Sequence, residues 1–178
     1  MFHYRDDEQY VQKLWMFRRL IGSEQWRRGT FLDVGCGVGA LADCVEPSHY
    51  LGVDLVREFV EEASVRHPGY RFMTGDVMQA GDWDQRIWDC AVLCGVLSSV
   101  PEPGRLLQAA MRLTGGRIVF DISVEGRFPK DFDGLNRWSF EALRSTVERE
   151  GWSIERVMDE GRSWVGVVIE RGRFGVAK

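Results

Sequence analysis

No apolar run in the sequence approaches the roughly 20 residues that a membrane-spanning helix needs, so no span is expected. No charge of one sign dominates either. The 23 basic residues stand against 27 acidic ones, and a net charge of −4 gives no electrostatic reason to expect nucleic acid or an anionic membrane as partner. Cysteine is scarce: Cys36, Cys44, Cys90 and Cys94 form no C-x-x-C pair and have no histidine at zinc-binding spacing. Neither a disulfide framework nor a metal site is expected, and reduced thiols suit a cytoplasmic protein. The first residues, Met1 to Glu8, are too polar and acidic for a signal peptide. Internal repeats, low-complexity stretches and linkers are also missing. The 178 residues (1–178) therefore read as one domain, long enough to bury a substantial core.

What is present is concentrated between Thr30 and Leu41, T-F-L-D-V-G-C-G-V-G-A-L. A short apolar strand runs into three alternate glycines, Gly35, Gly37 and Gly39, and then into Ala40-Leu41, where a helix can begin. Glycine is needed where backbone turns tightly after a strand or approaches a ligand within contact distance. A helix starting there would point its free N–H groups into the loop, which outlines a nucleotide-cofactor site. The spacing separates two kinds of cofactor. A pyrophosphate-binding loop reads G-x-G-x-x-G. Here the glycines alternate, and Asp33 stands two residues before the first of them. That carboxylate disfavours an anionic pyrophosphate and favours a cofactor that carries an ammonium group.

The rest of the chain alternates strands and helices. Residues 6–21 carry Tyr10, Val11, Leu14, Phe17, Leu20 and Ile21 at helical spacing, with Trp15 alongside and Gly22 as a stop. This gives an N-terminal helical cap (1–29) on a core (30–170). A helix at about 38–46 is expected after the glycines. Then comes a strand, Tyr50–Leu55, whose Asp54 lies 15 residues past Gly39 and can accept hydrogen bonds from both hydroxyls of a ribose. A helix Val56–His67, with Phe59, Val60 and Ala63 as its buried face and His67 as a helix-end cation or solvated side chain, leads to a third strand, Tyr70–Met73. The third strand runs into Thr74-Gly75-Asp76-Val77. After a short polar link, Trp88–Cys94 reads as a buried parallel strand. A helix opened by Pro101-Glu102-Pro103 and ended by Gly115-Gly116 precedes a fifth strand, Arg117–Asp121. Ser123–Arg137 reads as a loop, long enough to be functional. Ser139 can cap the helix Phe140–Glu150. Trp152–Met158 and Trp164–Ile169 read as a terminal antiparallel hairpin, with 171–178 as a frayed tail.

The run Asp33-Val34-Gly35-Cys36-Gly37-Val38-Gly39 resembles the first motif of the class I S-adenosylmethionine-dependent methyltransferases, D/E-x-G-x-G-x-G. The likeness covers roughly residues 30–170. It implies an α/β fold, a three-layer Rossmann-like sandwich around a seven-stranded, mostly parallel sheet in the order 3-2-1-4-5-7-6, with strand 7 antiparallel. It implies S-adenosylmethionine as cofactor, S-adenosylhomocysteine as product, and transfer of a methyl group to an O, N or S nucleophile. The cofactor-binding residues would be Asp33, Gly35, Cys36, Gly37, Gly39, Asp54, Leu55, Asp76, Val77, Cys94 and Gly95. Asp76-Val77 would meet the adenine, and Cys94-Gly95 would lie beside the methionine part. Ser98-Ser99 stands where many members carry a His-His pair, which removes the usual imidazoles. No Asn/Asp-Pro-Pro-Tyr tetrad follows the fourth strand, so a nucleic acid base is not the expected acceptor and a small molecule is.

Because the cofactor is already activated, the protein mainly has to hold donor and acceptor in line and exclude water. No catalytic residue is therefore required by the resemblance. If a base is used, the candidates are Asp121, Tyr10, Tyr4 and His3. Trp15, Phe128 and Trp138 are the candidate acceptor contacts; Arg127, Lys130 and Arg137 could meet an acidic acceptor, but Glu125, Asp131 and Asp133 offset them, and the stretch reads as a solvated loop. Two other readings stay open: a non-catalytic partner or regulatory subunit that binds S-adenosylmethionine, and a same-fold enzyme that uses the cofactor for non-methyl transfer. Oligomeric state is not legible.

Overall fold

Three layers are stacked around one sheet in the structure, a computed structural model that describes residues 8–21, 29–79, 81, 83, 87–127, 136–159 and 164–172. In chain order the elements are α1 (Glu8–Ile21), β1 (Phe31–Val34), β2 (Tyr50–Asp54), α2 (Arg57–Arg66), β3 (Arg71–Thr74), β4 (Trp88–Leu93), α3 (Pro103–Leu113), β5 (Thr114–Val124), β6 (Arg137–Trp138), α4 (Phe140–Arg149), β7 (Trp152–Met158) and β8 (Trp164–Arg171). The strands run β3-β2-β1-β4-β5-β8-β7, and the two-residue β6 joins the end of β5 in parallel. β8 is antiparallel to both of its neighbours. This is the order expected from the sequence, with β7 and β8 as its sixth and seventh strands and β6 added.

Burial on both faces explains why the central strands are apolar without alternation. One face carries Leu32, Val34, Leu93, Phe120 and Ile122 and is covered by α3 and α4 through Leu107, Met111, Leu143 and Val147. The other carries Phe31, Tyr50, Val92, Val119 and Val168 and is covered by α1 through Met16, Phe17, Leu20 and Ile21. Met16 lies so close over Gly166 of β8 that a Cβ there would collide with its thioether. Ser139 caps α4 as its position suggests, its hydroxyl accepting the Ala142 N–H at 3.1 Å.

Several expectations need correction. No α-helix follows the glycine loop: residues 37–41 are turns, and only two short 3-10 segments, Ala42–Cys44 and Pro47–His49, precede β2. No helix N-terminus therefore faces the loop. β5 is longer than expected: Gly115 and Gly116 belong to it rather than ending α3, because a Cβ at Gly116 would stand 2.6 Å from the Asp89 carbonyl oxygen of β4. Ser123 and Arg137 are strand residues rather than loop margins. Phe59 is 45% exposed, so α2 is held by Val60 and Ala63. His67 is not solvated; its ring packs on Phe72 and Tyr70, and Nδ1 lies 3.2 Å from the Asp43 carboxylate. In the polar link after β3, Trp83 is buried against Gly75 and Gly81, with its indole N–H donating to the Gln79 carbonyl at 3.2 Å.

Candidate functional site

The strand ends meet where β1 turns into the glycine loop, and the loop is fastened to β2. Gly35 and Cys36 both donate their N–H to the Val53 carbonyl, at 2.7 and 3.2 Å. Gly37 donates to Asp54 Oδ2 at 2.8 Å, and Val56 donates to Asp54 Oδ1 at 2.9 Å. The three glycines all have left-handed backbone, with φ of 69°, 52° and 79°, but they are required for different reasons. A Cβ at Gly35 would collide with Val96, and one at Gly39 would stand 2.9 Å from both His67 and Phe72. At Gly37 nothing lies within 4 Å. The outer two let the loop pack down, and the middle one turns bare backbone outward.

Asp33 sits beneath this loop rather than at its surface. It is 3% exposed, opposite Gly52 and Val92 in the sheet, and its Oδ2 accepts the Tyr50 hydroxyl at 2.6 Å. The void beside it, about 10 Å³ and lined by Ile21, Leu41, Val45 and Val92, is at the lower limit for one water. Burial pushes the Asp33 carboxyl up to about 7, the Tyr50 hydrogen bond pulls it back, and the charge of Asp54 adds to the rise. Burial also pushes the Cys36 thiol far up, so it packs under the loop as a neutral group.

Asp54 anchors the next strand end too, since Gly75 donates its N–H to the Asp54 carbonyl at 2.9 Å. Asp76 follows, accepting the Met78 N–H at 2.9 Å and the Gln79 side chain at 3.3 Å, with Val77 buried beside it. Leu55, Val56 and Phe59 form an exposed apolar rim just beyond Asp54.

On the other side, at β4 and β5, stands an arrangement that sequence reasoning missed. Asp121 is 1% exposed; its Oδ1 accepts the Gly95 N–H at 2.5 Å, and its Oδ2 meets the Lys13 ammonium of α1 at 2.7 Å. Lys13 Nζ also lies 5.3 Å from the centre of the Trp164 ring. Cys94 stands next to this pair, and burial and the Asp121 charge push its thiol well up. Nothing in the α1 pattern singles out Lys13 as more than a solvated face. An acid in the middle of an apolar strand was the available signal, because a buried carboxylate needs a partner.

The candidates are thus divided. Asp33, Gly35, Cys36, Gly37, Gly39, Asp54, Leu55, Asp76, Val77, Cys94 and Gly95 line or underlie the ends of β1–β4. Asp121 is engaged by Lys13 and Gly95. Trp15 is 53% exposed and pairs with Arg19 on α1. Trp138 is buried in the α3/α4 face, and its indole N–H meets no partner among the described residues. Arg127 pairs with Asp159 at 2.6 Å, which occupies it as a receptor for an acidic acceptor. Asn136 ties the second half of the loop to the segment after β4, donating its N–H to the Ser98 carbonyl at 2.8 Å. His3, Tyr4, Phe128 and Lys130, and the side chain of Tyr10, lie outside the described residues. A furrow of about 440 Å³ runs along α4, lined by Glu141, Arg144, Ser145, Glu148 and Arg149. All five come from one helix and no strand end contributes, so it is surface relief rather than a site.

Comparison with known proteins bears on this geometry. Residues 32–116 match the family model described as a methyltransferase domain. No curated protein sequence matches the chain. Among solved structures, magnesium protoporphyrin IX methyltransferase from Synechocystis, with bound S-adenosylhomocysteine, superposes with a TM-score of 0.74 at 20% identity, over 90% of this chain and 83% of that one. CalS10, an amino pentose methyltransferase from Micromonospora echinaspora bound to S-adenosylmethionine, gives 0.73 at 15% identity over 94% and 93%. A putative methyltransferase of Haloferax volcanii, in complex with the Trm112 methyltransferase activator, gives 0.71 at 15% over 95% and 94%. At these identities the likeness is one of fold.

Two tests follow from the loop and from Asp33. Gly39→Ala should lower the urea unfolding midpoint well below that of Gly37→Ala, which carries only the left-handed strain of about 1–2 kcal/mol; equal midpoints would contradict the packing role of Gly39. For Asp33, a folded-state carboxyl raised from 3.8 to about 7 binds a proton more tightly than the unfolded chain does. Its contribution to stability is therefore largest below about pH 4 and is lost as pH rises towards 7. Asp33→Asn should reduce the loss of stability between pH 4 and pH 7 measured by urea titration, and an unchanged difference would contradict the assignment.

Proposed function

We propose that this chain is a class I, S-adenosylmethionine-dependent methyltransferase, a reading supported by the family-model match and the shared fold, and that it transfers the methyl group of S-adenosylmethionine to a nucleophile on a small molecule. The observation that carries the reading is the joint placement of Gly37 and Asp54. Gly37 offers open backbone where a side chain would fill the space. Each Asp54 oxygen accepts one backbone N–H and keeps a further lone pair for a ribose hydroxyl. The residues present thus fit the cofactor. Asp54 and Leu55 would receive the ribose, Asp76 and Val77 the adenine, and Gly35, Cys36, Gly37 and Gly39 the backbone contacts along it. Cys94 and Gly95 would lie along the amino-acid end, with Asp33 supporting the loop from below.

When bound, the cofactor supplies a methyl group on a positively charged sulfur; the acceptor's lone pair forms the new bond as the carbon–sulfur pair returns to sulfur. The protein's part is to orient the acceptor behind that carbon and to exclude water. α1 covers the sheet face beside these strand ends and serves as one wall. Asp121, held by Lys13 and Gly95, acts as part of that wall rather than as a free base. Two structural neighbours are by name enzymes of a magnesium porphyrin and of an amino pentose, which supports a small-molecule acceptor. The four cysteines stand free, which supports a reducing, cytoplasmic setting. A second reading, cofactor binding without transfer, draws support from the neighbour in complex with a methyltransferase activator.

The test is turnover. The protein incubated with S-adenosylmethionine labelled in the methyl group and a panel of hydroxyl, amine and thiol small molecules should yield labelled product and S-adenosylhomocysteine. Cofactor binding with no transfer to any of them would favour the second reading, and no binding would overturn both.

A further inference from the structure

We propose that the Lys13–Asp121 pair sets the charge at the reacting end of the site and thereby governs how the protein discriminates the charged methyl donor from its neutral product. The inference rests on the cofactor reading above. The groups suited to a nucleoside (Gly37, Asp54 and Asp76) stand at the ends of β1, β2 and β3. A ligand laid across the strand ends from there passes next over β4 and β5, where Gly95 and Asp121 are. Lys13 reaches that place from α1.

The pair is asymmetric. Asp121 is 1% exposed, whereas the Lys13 side chain is 18% exposed, so Lys13 is the outer member. Lys13 is not needed to hold α1 down, because Met16, Phe17, Leu20 and Ile21 bury the following turns of that helix. Its distinctive effect is electrostatic. Donor and product differ by one methyl and one positive charge at sulfur. A buried carboxylate without Lys13 would attract that charge in the bound donor, and the attraction would fade as the charge leaves sulfur in the transition state. Such ground-state stabilisation raises the barrier. By cancelling Asp121, Lys13 keeps the site from holding the donor at the expense of its reaction.

Opposite charges predict opposite effects. In Lys13→Met the carboxylate is uncompensated and the affinity ratio of donor to product rises. In Asp121→Asn a negative charge is removed, the local potential turns more positive, and the ratio falls. In the double variant neither charge remains and the ratio returns towards that of the wild type. A merely structural pair would behave otherwise, both single variants weakening donor and product together.

The experiment is calorimetric titration of the full chain with S-adenosylmethionine and with S-adenosylhomocysteine, for the wild type, the two single variants and the double variant. The ratio is expected to rise about threefold or more in Lys13→Met, to fall by a similar factor in Asp121→Asn, and to recover in the double variant. Lys13→Arg, which keeps the charge, should stay near wild type. Single variants that shift the ratio in the same direction, or not at all, would overturn the proposal. If Asp121→Asn fails to fold, Lys13→Met still decides, since an unchanged or lowered ratio contradicts the inference. A wild type that binds neither ligand overturns the cofactor reading and this inference with it.

Discussion

One residue, an aspartate, joins three backbone segments at the head of the sheet. Asp54 receives the N–H of Gly37 from the glycine loop and the N–H of Val56 from the entry to α2, and its own carbonyl receives the N–H of Gly75 from the end of β3. The two bonds to the carboxylate are charge-assisted and stronger than neutral ones, and they substitute for what is missing here, a helix N-terminus behind the loop. With only turns and 3-10 segments between Leu41 and Tyr50, the loop has no helix to organise it from behind. β2 organises it from the side. The site's geometry therefore depends on the acid at the end of β2 as much as on the glycines.

Beneath the loop the sheet is closely packed. Asp33, Tyr50 and Cys36 lie under it, Tyr50 and Cys36 kept protonated by burial and the Asp33 carboxyl raised by burial to about 7, and Phe72 and His67 close the gap below Gly39. Across the sheet the opposite arrangement holds. Asp121, equally buried, is answered by a full positive charge from α1. Two acids in comparable positions on one face are thus satisfied in different ways, one by a hydroxyl and one by an ammonium. That difference makes the β1–β2 side a packed support and the β4–β5 side an electrostatic one.

The sheet order and the terminal hairpin were legible because apolar strands, turn residues and helix patterns agree along most of the chain. The loop was legible because three alternate glycines after a strand, with an acid before and another at the next strand end, admit few readings. What the sequence did not disclose has physical causes. A helix was expected after Gly39 because Ala40 and Leu41 favour one, but 3-10 turns take the available length. Phe59 fits a buried stripe by spacing, yet the sheet edge at β3 leaves it uncovered. Trp83 hides in a segment that is polar by composition, because two glycines make room for its ring. Lys13 looks like any exposed cation on an amphipathic helix, and only the fold reveals the aspartate that it faces.

The central claim is that Asp54 both organises the loop and receives the cofactor. Calorimetric titration of the wild type and of Asp54→Ala with S-adenosylmethionine, with NAD as control, tests it most directly. The wild type should bind S-adenosylmethionine and not NAD, and the variant should bind at least about tenfold more weakly, the size of a lost hydrogen bond to a charged acceptor. Unchanged affinity in Asp54→Ala, or binding of NAD alone, would contradict the account.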